Sequence, residues 1–200
     1  MGAWGVGSFE NDGGHGFLAA LIHENDLRLV QDAFNRQSMS LHASLGFAVR
    51  EPIALLEGKP KSLHSRAGEV RPLAASDVRA CAALCRRVHG FERANELRDA
   101  LKVFSPFVAV REGRVAAYTT TMTLWPVGHG VAECEDDMQE LILGVGAGSY
   151  EPLALLLPTR QAGLFRWCLS EGLRVVKPLT LMTLGEYQEP RGAHFPSAFC

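Results

Sequence analysis

Three side chains that could take part in chemistry lie close together near the start of this chain. Asn35, Ser38 and His42 belong to the segment N-R-Q-S-M-S-L-H-A-S-L-G-F, which runs from Asn35 to Phe47. An unperturbed imidazole has a pKa of about 6.5, so it is mostly neutral at pH 7 and still has one N–H to donate. His42 is therefore a candidate for proton transfer. The alternative is a histidine on a partly exposed helix face.

The residues around these side chains predict a strand, a helix and a second strand. Residues 27–34 have the pattern of a buried strand that ends at Asn35, and residues 37–45 have that of a short helix. Residues 48–56 predict a strand that is closed by Gly58 and Pro60. The candidate residues would thus lie at the junction of a strand and a helix.

This segment resembles the last motif of the GNAT superfamily of acetyl-CoA-dependent N-acetyltransferases. The likeness is carried by six positions at fixed spacing: Asn35, Ser38, Leu41, His42, Gly46 and Phe47. The resemblance implies that Asn35 and Ser38 contact acetyl-CoA, with the asparagine holding the pantetheine arm. In the family, the position of His42 is usually a tyrosine that protonates the departing thiolate of coenzyme A. The resemblance therefore implies an acid role for His42 and a small-molecule amine as the acceptor.

The motif lies unusually early in the chain for a GNAT domain. In the family it follows the strand and helix that hold the cofactor pyrophosphate, so we expect residues 25–60 to be a partial domain. Residues 1–24 are a glycine-rich leader that begins M-G-A-W-G-V-G-S-F-E-N-D. This opening resembles the start of a small domain of unknown function.

A second unit, residues 68–200, is predicted to follow a polar linker at residues 61–67. Its periodicity predicts a strand at 69–73, a helix at 77–89 capped by Ser76, and a helix at 93–101. Further on we expect strands at 107–110, 115–123, 152–157 and 174–183, with helices at 136–143 and 163–170. The order of V-R-P, two helices and a hairpin resembles the start of a GNAT domain, and the tail resembles the second half of tandem GNAT proteins.

The second unit lacks the glycine-containing loop that holds the cofactor pyrophosphate in the family. At that place the sequence reads H-G-V-A-E-C-E-D-D, where Glu133, Glu135, Asp136 and Asp137 would repel a diphosphate. The later run G-V-G-A-G, which ends at Gly148, follows a predicted helix and does not open one. We therefore expect a helix cap and a loop there, and no phosphate site.

Composition excludes several classes of protein. The chain has 200 residues, is 47% hydrophobic and has a formal net charge of −2, which argues against non-specific nucleic-acid binding. We expect no membrane span, because no apolar run approaches about 20 residues, and no signal peptide, which together predict a cytoplasmic location. Five cysteines without paired zinc spacing fit a reduced compartment. His129 and Glu133 have no evident third ligand, so no metal site is expected.

The sequence therefore predicts an α/β (α+β) fold in which a mixed, mostly antiparallel sheet is flanked by helices and preceded by a partial strand–helix–strand unit. Two functions are open: a GNAT-like acyltransferase that uses acetyl-CoA, or a non-catalytic GNAT-fold protein that binds a small molecule or another protein. The partial unit is too small to fold alone. We expect it either to merge with the sheet of the second unit or to be completed by a homodimer through its edge strand.

Overall fold

The structure, a computed structural model, describes residues 27–62 and 69–198. The predicted leader and most of the predicted linker lie outside the described residues. The strands in the described part are β1 (Leu27–Asp32), β2 (Ala48–Gly58), β3 (Glu69–Pro72), β4 (Phe107–Arg111), β5 (Arg114–Thr119), β6 (Gly130–Ala132), β7 (Leu153–Pro158), β8 (Arg174–Leu184) and β9 (Ala193–Phe195). The α-helices there are α1 (Arg36–Ser44), α2 (Val78–His89), α3 (Ala94–Val103), α4 (Glu135–Gly148) and α5 (Ala162–Ser170).

The strands form two sheets whose neighbouring strands all run antiparallel. The first sheet has the order β1-β8-β2-β7, and the second has the order β3-β4-β5-β6-β9. The predicted fold class, an antiparallel α/β arrangement flanked by helices, is confirmed. Because β2 pairs with both β7 and β8, the early segment is part of a merged sheet within one chain.

The first sheet contains two strand–helix–strand motifs in the same register. The first motif is β1–α1–β2 and the second motif is β7–α5–β8. Equivalent positions of the two motifs are 126 residues apart, from Leu27 and Leu153 at their starts to Gly58 and Leu184 at their ends. Leu27 pairs with Leu184 in β8, and Gly58 pairs with Leu153 in β7. The pairing pattern is therefore unchanged when the two motifs exchange places, which is an approximate two-fold relation.

Three apolar clusters hold the sheets and helices together. The largest combines α4 and α5 with both sheets, through buried residues such as Met138, Ile142, Leu155 and Leu164. A second cluster packs α2 and α3 against the opposite face of the second sheet. The third covers the other face of the first sheet, where Trp125 and Ala198 pack near Leu181. Burial of this apolar surface is the main term that stabilises the arrangement.

Two helix ends differ from the sequence predictions. Ser76 does not cap α2, because a short 3₁₀ turn, Ala75–Asp77, precedes that helix. The glycines of G-V-G-A-G lie inside α4 and not in a loop after it. Side chains at Gly144 and Gly146 would collide with Val70 and Pro60, so close packing explains the small residues.

The helices within residues 27–62 and 69–198 are too short or too polar to cross a membrane. The helix α4, for example, has 14 residues.

Candidate functional site

The three predicted site residues lie at the junction between β1 and α1. Asn35 is the N-cap of α1, and its Oδ1 accepts a hydrogen bond from the Ser38 backbone N–H at 3.0 Å. Such a cap satisfies one of the N–H groups that a helix start leaves without a partner. The Asn35 side-chain oxygen is therefore engaged within the helix.

Ser38 and His42 meet a residue that the sequence did not indicate, Gln31 of β1. The Ser38 hydroxyl donates to Gln31 Oε1 at 3.0 Å, and His42 Nδ1 lies 2.9 Å from the same oxygen. Ser38 Oγ is also 3.3 Å from His42 Nδ1. We call Gln31, Ser38 and His42 the polar trio. It brings together two of the three predicted residues around one amide.

Burial keeps the His42 ring neutral at pH 7. Burial lowers the pKa of this half-buried imidazole below its ordinary value, and a hydrogen bond with the Ser38 backbone only partly offsets that effect. The edge of the ring also contacts Phe47, with centroids 5.5 Å apart. A neutral imidazole can donate one proton and accept another, depending on which nitrogen carries the hydrogen.

The second motif has an apolar site at the equivalent place. The positions of Gln31, Ser38 and His42 correspond there to Leu157, Leu164 and Cys168, all three fully buried. Burial raises the pKa of the Cys168 thiol to about 12, so it is not a thiolate. Only the first motif thus has polar chemistry at this strand–helix interface.

Gln161, the N-cap of α5, occupies the position equivalent to Asn35 and binds the chain's own backbone. Its Nε2 donates to the His194 carbonyl at 2.6 Å, and its Oε1 accepts from the His194 N–H at 3.0 Å. His194 belongs to β9, which pairs with β6 on its other side. The backbone of β9 is therefore held between β6 and the start of α5.

Carboxylates occupy the start of α4, where the resemblance places a pyrophosphate loop. Only two residues separate β6 from α4, and the first turn contains Glu135, Asp136 and Asp137. Glu133 accepts from Arg87 at 2.8 Å and also binds Arg114, while Arg111 lies 2.9 Å from Asp137. The acidic groups at the start of α4 are therefore side chains of the protein itself. They complement the positive end of the helix dipole.

A small cavity lies beside β9. It has a volume of about 20 Å³, room for roughly one water molecule. Its polar lining residues are Arg28, His89, Arg93, His129, Tyr187 and His194. Within the ranges that the structure describes, no three histidine, cysteine or acidic side chains are placed to share a metal ion.

Comparisons with known proteins give a family match for part of the chain and a shared fold for nearly all of it. The model of a family described as a domain of unknown function, DUF4259, matches residues 2–81. No curated protein matches the chain.

Several solved structures are similar to this chain, and three of them follow. One, from Pyrococcus horikoshii and assigned as an acetyltransferase, has a TM-score of 0.68 and 14% identity, covering 99% of this chain and 68% of its own. A GCN5-related N-acetyltransferase from Sphaerobacter thermophilus has a TM-score of 0.54 and 14% identity over 94% of this chain and 70% of its own. A protein from Novosphingobium aromaticivorans, assigned to the GNAT family of acetyltransferases, has a TM-score of 0.51 and 16% identity over 88% and 82%. The chain therefore has the fold of the GNAT acetyltransferases.

Proposed function

We propose that this chain is a GNAT-fold binding protein whose second unit does not use acetyl-CoA. The observation that carries the proposal is the position of β9. Gln161 is equivalent to Asn35, the residue that is expected to hold the pantetheine arm. Its side-chain N–H donates to the His194 carbonyl, and its side-chain oxygen accepts from the His194 N–H. A cofactor would have to displace a strand that also pairs with β6.

The charges at the start of α4 support the same proposal. A diphosphate bound there would meet Glu133, Glu135, Asp136 and Asp137. Two like charges 4 Å apart repel by roughly 1 kcal/mol in water and by about 4 kcal/mol near a protein surface. Arg87, Arg111 and Arg114 pair with Glu133 and Asp137, but four carboxylates at one helix start still disfavour the pyrophosphate of acetyl-CoA.

An open groove supports a binding role. It has a volume of about 640 Å³ and runs between α2 and the turn that joins β4 to β5. Sites for small ligands typically measure about 300–1,000 Å³. The groove is lined by three cationic and two acidic side chains: Arg71, Arg87, Arg114, Asp77 and Glu133. It therefore offers contacts to groups of either charge.

A thermal-shift experiment with acetyl-CoA and with free coenzyme A tests the proposal. A ligand at 100 times its Kd adds about 2.7 kcal/mol of stability. For a chain of this size, that corresponds to roughly 5–10 °C in Tm. We expect no shift for the wild-type protein. A shift of that size that persists in Asn35→Ala but is lost in Gln161→Ala would refute the proposal, because it would place the cofactor in the second unit.

A second candidate function is acyl transfer at the first motif, and the polar trio favours it. In this candidate Asn35 and Ser38 hold acetyl-CoA, His42 acts as the acid for the departing thiolate of coenzyme A, and the acceptor is a small-molecule amine. The measurement is the transfer of labelled acetyl groups to a panel of amines. Activity should be lost in His42→Phe and kept in Ser40→Ala, a control on the exposed side of the same helix. Equal activity in both variants would exclude this site.

A further inference from the structure

The polar trio lies where the fold accepts apolar residues. In the second motif the equivalent strand and helix positions are Leu157, Leu164 and Cys168, which belong to the largest apolar cluster. The backbone register of the two motifs is the same. Packing of a helix on this sheet therefore does not require Gln31, Ser38 and His42.

Keeping an amide at this interface lowers stability. Only 7% of Gln31 is exposed, and its Nε2 has no hydrogen-bond partner in the described part of the chain. A buried donor without a partner loses its hydration and gains nothing in exchange. Each unsatisfied group of this kind calls for an explanation, and a catalytic role is one of those that apply in native proteins.

The hydrogen bonds of Gln31 assign the hydrogen on His42. The amide oxygen of Gln31 lies 2.9 Å from His42 Nδ1, and a carbonyl oxygen can only accept. The same oxygen also accepts from the Ser38 hydroxyl at 3.0 Å. With the Gln31 amide in this orientation, a neutral ring has its hydrogen on Nδ1 and keeps the lone pair on Nε2.

We propose that Gln31 is a positioning residue that holds the hydrogen of neutral His42 on Nδ1 and makes Nε2 a proton acceptor. The group it would serve is a protonated amine or another N–H, O–H or S–H acid. The proton moves from that group to Nε2 and leaves its electron pair on the donor atom. The resulting imidazolium keeps its Nδ1–H bond to Gln31.

This proposal changes the direction of proton transfer implied by the resemblance. An acid at this position would need its hydrogen on Nε2, whereas the contact with Gln31 holds it on Nδ1. The tautomer itself does not depend on either proposed function. The choice of an amine as the proton donor rests on the second candidate, acyl transfer at the first motif.

Nitrogen NMR of histidine-labelled protein tests the proposal without any activity assay. The His42 signals are identified by their loss in His42→Phe. In the wild-type protein at neutral pH we expect a protonated Nδ1 and an unprotonated Nε2. In Gln31→Leu, which introduces the residue of the second motif, the preference for hydrogen on Nδ1 should be weakened, because only the hydrogen bond with the Ser38 backbone remains.

Two further variants separate positioning from packing. Gln31→Glu keeps an acceptor oxygen, so it should retain the hydrogen on Nδ1 and raise the pKa of His42. The matched control, Leu157→Gln, places the amide in the second motif, where it should lower Tm and leave the His42 signals unchanged. A wild-type His42 with its hydrogen on Nε2, or a tautomer that is the same in Gln31→Leu, would overturn the proposal. A loss of acetyl-CoA binding or of acyl transfer would bear only on the proposed functions.

Discussion

His89, His129 and His194 are buried around the small cavity beside β9. Burial lowers the pKa of His89 to about 2 and that of His194 to about 3, and it holds the pKa of His129 well below its ordinary value. The positive charges of Arg28 and Arg93 act in the same direction on His89 and His194. The groups that face the three rings from neighbouring elements include Glu96 and Tyr118. All three histidines are therefore neutral in the folded protein.

We expect this cluster to make the protein sensitive to acid. In the unfolded chain each histidine has a pKa of about 6.5, so below that pH the unfolded state binds more protons than the folded state. The stability that depends on neutral histidines is thus fully present above pH 6.5 and is lost as the pH falls. Well below pH 6.5, each histidine lowers the free energy of unfolding by about 1.4 kcal/mol per pH unit, so the three together lower it by about 4 kcal/mol per pH unit. Urea unfolding between pH 7.5 and 5 measures this slope.

A matched variant assigns the acid sensitivity to these residues. His89→Gln should reduce the slope by roughly one third, because one of the three protons is then absent. A free energy of unfolding that is constant between pH 6.5 and 5 in the wild-type protein would contradict the prediction.

At the scale of elements, β6 and β9 are the pair that the sequence did not predict. Each has only three residues, and a pattern of alternation cannot be recognised over so short a stretch. The longer elements were predicted to within two residues, except that β5 ends four residues earlier and α4 five residues later than expected. Their apolar spacing extends over one or more turns or several strand positions. The pairing of β6 with β9 depends on contacts between residues far apart in the chain.

Gly130 lets β9 pack closely against β6. A Cβ atom at this position would lie 2.1 Å from the ring of Phe195, which is itself buried. We expect Gly130→Ala to lower stability by about 1–3 kcal/mol, since the ring and β9 must move. Thermal unfolding measures the effect, which should be several degrees in Tm.

Gly148→Ala is the control for this prediction. Nothing lies within 4 Å of a Cβ at Gly148, the last residue of α4. This change should leave Tm unchanged or raise it slightly, because alanine favours a helix more than glycine does. Equal Tm values for the two variants would show that β9 does not pack against β6 as described.

At the scale of the whole molecule, the two strand–helix–strand motifs complete each other's sheet. β1 pairs with β8 of the second motif, and β2 pairs with β7 and β8. Gly46 and Gly172, at equivalent turns after α1 and α5, both have positive φ angles, 93° and 100°. Beyond β2, Lys61 donates to the Ser170 carbonyl and Ser62 binds Glu171. The early segment is therefore held along its length by the second unit.

We expect the two parts of the chain to stay together after cleavage of the linker. A protease site introduced within residues 63–68 would cut the covalent connection but not the pairing of β2 with β7 and β8. The fragments should elute together in size-exclusion chromatography and separate only in denaturant. An Ile53→Asp variant, which places a charge in a fully buried position, should release them after cleavage. Separate elution of the cut fragments without that change would show that the merged sheet is not stable.

The sequence by itself determined the long elements and the fold class, and it predicted Asn35, Ser38 and His42 as candidate site residues. The elements follow from local spacing, since apolar periodicity is a property of short segments. The three candidate residues follow from the resemblance of residues 35–47 to the GNAT motif. The acidic start of α4 was also evident from the sequence, because it depends only on charge.

Only the tertiary structure decided how the two motifs interlock, that β9 lies against Gln161, and that Gln31 contacts His42. Each depends on residues from separate elements, and His194 is far from its partners in sequence. A glutamine in a strand and a glutamine at a helix start have no distinctive pattern of their own. Their roles arise because the sheet brings equivalent positions, 126 residues apart, into one register. At these buried positions, an amide group that lacks a hydrogen bond lowers the stability of the fold.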